Sequence, residues 1–83
     1  MRILKKTIHS EKSKLLQSLL IQARAKAGLT QQALADKLGK PQSFVAKYEV
    51  GERRIDVIEF MRICDAIGVD ATNIIAIAQA DKR

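Results

Sequence analysis

The sequence predicts an all-α fold, a compact bundle of five short helices, and three observations carry that expectation. Leu, Ile, Val and Ala supply most of an apolar content of 47%, while aromatic residues make up only 4%; this composition suits packed helices better than a sheet. Apolar residues recur at three- and four-residue intervals through separate stretches, the period of a helix face. Capping side chains and glycines stand between those stretches, where helices start and stop.

Residues 1–10 show no clear periodicity and carry Arg2, Lys5 and Lys6, so they read as a flexible basic arm before a domain at 11–80. Ser10 is positioned to cap a first helix over Glu11–Ala27, with Glu11 in the first turn where the helix dipole favours an anion. Leu16, Leu19, Leu20, Ala23 and Ala27 form its apolar stripe, and Gly28 supplies a left-handed stop. Thr30 caps a second helix, Gln31–Leu38, expected to bury Leu34, Ala35 and Leu38. Gly39 permits a sharp turn, and Pro41 sits at or just before the first turn of a third helix over Pro41–Glu49, where its missing N–H costs nothing. Gly51 closes that helix. Asp56 and Glu59 have the spacing of a capping box for a fourth helix, with Val57, Phe60, Met61, Cys64 and Ile67 as its buried stripe and Gly68 as its end. Asp70 caps a fifth helix over Ala71–Ala80, with Ile74, Ile75 and Ala78 turned inward. Leu34, Val45, Phe60 and Ile67 are the expected centre of the core.

Composition narrows the function classes. A chain of 83 residues makes one domain. No apolar run approaches the ~20 residues of a membrane span, and no signal peptide is evident, so a cytoplasmic, nucleoid-associated protein is expected. The lone Cys64 excludes an internal disulfide and a cysteine-rich zinc site, and His9 has no companion at ligand spacing. No metal and no cofactor are expected. No nucleophile motif or phosphate loop occurs, and one isolated His and one isolated Cys build no nucleophile–base pair, so an enzyme is not expected.

Net charge is +6 and unevenly spread. Met1–Ala27 carries seven basic residues and one acidic, whereas Ile55–Arg83 carries three basic and five acidic. A polyanion held toward the N-terminal two-thirds would fit that asymmetry. The third helix points the same way. Stepping round it at ~100° per residue puts Phe44, Val45 and Tyr48 on one side and Gln42, Ser43, Ala46 and Lys47 on the other. An amide, a hydroxyl, a methyl and an ammonium are the groups that read base edges and phosphates in a major groove.

The run Gly28-Leu29-Thr30-Gln31, then Leu34-Ala35, Leu38-Gly39, Gln42-Ser43, Val45, Lys47-Tyr48-Glu49 and Gly51-Glu52-Arg53-Arg54, preceded by Ala23-Arg24, resembles the lambda-repressor-like, Cro-type helix-turn-helix family, also called the Xre family. The likeness extends from about Leu15 to Ile75, with the helix-turn-helix itself at about 31–49. It implies a lambda-repressor-like bundle that docks by the geometry known for phage repressors. It also implies DNA contacts at Gln31, Gln42, Ser43, Lys47, Arg53 and Arg54, and a structural ion pair between Arg24 and Glu49. Ala46 and Phe44 depart from the family's more usual polar residues. The expected partner is double-stranded DNA carrying a palindromic operator, bound by a homodimer that meets through the fifth helix and its flanks, with Ile74 and Ile77 adding apolar area. The alternative is an antitoxin or protein-interaction module of the same fold with reduced or no DNA binding.

Overall fold

The computed structural model describes residues 11–81, and the arm expected at 1–10 lies outside them. Within the described residues there are five helices and no strand: α1 (Glu11–Lys26), α2 (Gln31–Leu38), α3 (Gln42–Glu49), α4 (Val57–Ile67) and α5 (Ala71–Ala80). Local chemistry sets most of the boundaries. The Thr30 hydroxyl accepts from the Ala33 N–H at 3.0 Å, and Asp70 accepts from Thr72 N at 3.0 Å. Asp56 and Glu59 form a reciprocal capping box, Glu59 N donating to Asp56 at 2.7 Å and Asp56 N to Glu59 at 3.0 Å. Gly39 sits at φ 68°, a left-handed turn that strains any residue with a Cβ. It satisfies the end of α2 by donating to the carbonyls of Ala35 and Asp36. Pro41 is the extended cap of α3 rather than its first helical residue.

α2 and α3 pack closely on one another, and α1 runs against α3, α4 and α5. The side chains of Leu20, Leu34, Val45, Ile63 and Cys64 are fully buried at the centre, with Phe44, Tyr48, Phe60, Ile67 and Ile74 around them. Two inferred stripes need correction. On α4, Val57 is 71% and Met61 49% exposed, and the buried set is Phe60, Ile63, Cys64 and Ile67. Those four follow the i, i+3, i+4, i+7 rule from Phe60; Met61 lies a full ~100° step round the helix and Val57 stands at its exposed first turn. On α5 the inward pair is Ile74 and Ala78, one turn apart, while Ile75 is 40% exposed. Ile74 therefore belongs to the core and offers nothing to a partner. Ala27 is exposed, and Leu16, Leu19, Ala23 and Leu38 are only partly covered.

Candidate nucleic-acid interface

α3 is anchored from behind. Val45 has no exposure and Tyr48 and Phe44 almost none, and the two rings meet edge to face at 5.5 Å. With that face locked, Gln42, Ser43 and Lys47 are exposed on the opposite side, and Ala46 is half-buried between the two. The turn at Gly39 and the extended Pro41 bring the starts of α2 and α3 side by side. Gln42 Nε2 then donates to Gln31 Oε1 at 2.6 Å.

Gln31 is itself held. Its Nε2 donates to Glu49 Oε1 at 2.8 Å. Glu49 is 5% exposed, the buried charged residue of the described chain, and it is neutralised by Arg24. Arg24 Nε donates to Glu49 Oε2 at 2.7 Å and Nη2 to Oε1 at 3.1 Å, while Nη1 reaches the Leu29 carbonyl at 2.8 Å. The hydrogen bonds to Glu49 raise the guanidinium pKa above the ordinary arginine value, against the opposing effect of burial. The Arg24–Glu49 pair thus ties α1 to the end of α3, and Gln31 carries the connection outward to Gln42.

The two loop arginines differ. Arg53 grips Glu59 with both nitrogens, at 3.0 and 2.9 Å, and its guanidinium lies 4.7 Å from the centre of the Phe44 ring. Lys40 approaches the same ring at 5.4 Å. Arg54 is exposed and forms no ion pair among the described residues. The sequence marked Glu59 as a cap without singling out Arg53 as its counter-ion, and it contained no signal for the Gln31–Gln42 bond between two helices. Arg2, Lys5 and Lys6 lie outside the described residues. Among the described residues no cluster of acidic, His or Cys side chains is arranged to hold a metal ion, and no helix is long and apolar enough to cross a membrane.

A sequence profile of the helix-turn-helix family matches residues 20–74, the segment from mid-α1 to α5. The structure of an XRE-family like protein from Pseudomonas syringae pv. tomato str. DC3000 superposes with a TM-score of 0.87 at 48% identity, over 96% of this chain and 98% of that one. The chain belongs to the Xre-type helix-turn-helix family. That is a family of DNA-binding transcriptional regulators. Two structures of the clp gene regulator ClgR from Corynebacterium glutamicum share the fold. One has a TM-score of 0.74 at 20% identity, over 83% of this chain and 73% of that one. The other has a TM-score of 0.76 at 19% identity, over 87% and 94%. A comparison with curated proteins finds no match. In this Xre-type chain the second helix of the motif is α3, whose outward side chains are therefore the candidates for base contact.

Proposed function

We propose that the chain binds double-stranded DNA sequence-specifically, with α3 in the major groove, and acts as a repressor-like transcriptional regulator. The observation that carries this reading is the division of α3: one face locked into the core by Phe44, Val45 and Tyr48, the other presenting Gln42, Ser43 and Lys47 to solvent. Gln42 and Ser43 meet base edges, and Lys47 meets a phosphate or a neighbouring base. Gln31, at the start of α2 where free N–H groups favour an anion, lies beside the backbone. Arg54 extends to a phosphate. Arg53 follows the backbone only with the part of its guanidinium that Glu59 leaves uncovered.

Two copies related by a two-fold axis would present their α3 helices to half-sites about 34 Å apart. The surface that suits a second copy is α5, which carries no charged side chain and leaves Ile75 and Ile77 40% and 51% exposed. A charge-free apolar face packs against its own copy without like-charge repulsion, unlike most of a chain with net charge +6. An electrophoretic shift assay with DNA fragments from the protein's own locus tests the reading. A shift that survives excess random DNA supports it. Binding to no fragment rejects it in favour of a protein-interaction role, and equal binding to all rejects sequence-specific reading.

A further inference from the structure

The buried end of the hydrogen-bond chain controls what its exposed end can recognise. A carboxylate only accepts hydrogen bonds, whereas a glutamine amide both donates and accepts. Gln31 must therefore turn its NH2 group inward to Glu49, and it does so at 2.8 Å. That turn leaves the Gln31 carbonyl oxygen facing outward, where it takes a donor, Gln42 Nε2, at 2.6 Å. Gln42 is left with one N–H and its carbonyl oxygen for the groove: a donor beside an acceptor. Adenine offers the complement, an N7 acceptor beside an N6 donor, whereas guanine offers two acceptors. With the chain of amides reversed, the Gln42 oxygen would be engaged and its NH2 group would face outward, a pattern suited to guanine.

We propose that Glu49, acting through Gln31, is a specificity-determining positioning residue: its carboxylate sets the polarity with which Gln42 meets DNA and so selects adenine over guanine at one base pair of each half-site. This inference rests on α3 being the reading helix. Arg24 completes the device. It neutralises the carboxylate and occupies both oxygens from one side, so that Oε1 presents its remaining lone pair to Gln31. Glu49 needs no contact with DNA to do this, being 5% exposed.

The test uses the full chain and a duplex selected from a randomised DNA pool. Anisotropy titrations compare the parent with Gln42→Ala, Glu49→Gln and Gln31→Met, on four duplexes that differ only at the base pair where Gln42→Ala removes preference. The parent should favour A·T there by about ten-fold or more. Glu49→Gln should reduce that preference to less than about three-fold or turn it toward G·C, because the amide at position 49 can point its NH2 group at Gln31 and reverse the chain. Gln31→Met cuts the chain but leaves the Arg24–Glu49 pair whole, and it should lose the preference too. It keeps the proposal open to refutation if Glu49→Gln does not fold, because a full preference retained without Gln31 would leave Glu49 no route to Gln42. Because Gln31 also lies near the backbone, the readout is the ratio between duplexes and not the affinity. Side-chain amide NMR of the free protein gives a second readout: one Gln42 Nε proton should be shifted downfield by its bond to Gln31, and the shift should vanish in Gln31→Met.

Full A·T preference in either folded Glu49→Gln or folded Gln31→Met, with Gln42→Ala still abolishing it, overturns the role of Glu49 while leaving α3 as the reading helix. A Gln42-dependent pair that is not A·T overturns it as well. If no pair depends on Gln42, the reading of α3 fails and the inference fails with it.

Discussion

The outer faces of α3 and α5 are built on opposite principles. Behind the exposed Gln42 of α3 stands a line of directed hydrogen bonds running through Gln31 and Glu49 to Arg24, so the position of its amide is specified atom by atom. Behind the exposed Ile75 and Ile77 of α5 stand only Ile74 and Ala78 in the core. One face is polar and directional, the other apolar and without charge. Hydrogen bonds discriminate by angle and by donor sense, while apolar contact rewards any surface of matching shape. The contrast suits a division of labour in which α3 selects a base sequence and α5 gathers a second copy.

The largest effect should come from the core that supports both faces. Leu34→Ala removes a side chain with no exposure between α2 and its neighbours, and thermal or denaturant unfolding should register a loss of roughly 2–5 kcal/mol. A loss under about 0.5 kcal/mol would mean that neither face is held as described.

Next in size are the changes on α3. Gln42→Ala should cost about 1–3 kcal/mol on the preferred duplex and little on a scrambled one. Lys47→Ala, acting as a phosphate contact, should weaken both alike and lower the salt slope by about one unit. Ser43→Ala should fall between them, since a hydroxyl discriminates less. Equal behaviour of all three and the parent would take α3 out of the interface.

On α5, Ile77→Lys should leave stability within about 0.5 kcal/mol, because the side chain is already half exposed. Sedimentation should then show the parent as a dimer on a palindromic duplex and the variant as a monomer. A parent that stays monomeric on such a duplex would remove α5 as an interface.

The smallest effect concerns the loop between the two regions. Hydrogen bonds from Arg53, then from the Asp56 N–H, draw the Glu59 carboxyl down to about 2 from an ordinary 4.5. The ionised carboxylate therefore favours the folded chain. Its contribution is complete above the ordinary value and is lost as pH falls through the lowered one. The pair is partly exposed and water screens it. Glu59→Gln keeps a side chain able to complete the capping box but lacks the carboxylate's contribution. Its melting temperature should lie slightly below the parent's near pH 7, approach it near pH 2, and decline less steeply from about pH 5 to pH 2. An unchanged decline would show that Arg53 does not hold Glu59 in solution.

Much of the fold was legible because helix ends are local events. Thr30, Gly39, Asp56 and Gly68 act on backbone groups within a few residues, and their chemistry can be read without knowing what packs where. The stripe of α4 was less legible: Val57, Ile58, Met61 and Ile63 are all apolar, and only the orientation of the helix against the core separates Ile63 from the rest. In the candidate interface, the exposure of Gln42, Ser43 and Lys47 followed from the helical period. The Gln31–Gln42 bond did not, because it joins two helices across a turn whose geometry no single residue specifies. Nor did the seating of Arg53, which depends on a ring and a carboxylate contributed by different helices.

Cys64 gives the molecule a built-in clock. It is the chain's single thiol, wholly covered, and burial pushes its pKa up to about 11. A thiol so placed meets an aqueous reagent only when the core parts, and at neutral pH little of it is thiolate while the chain remains folded. Its labelling rate therefore counts excursions of the whole bundle, with no probe attached and no residue altered. Followed with and without DNA, that rate would report directly how much a bound duplex suppresses the opening of the domain.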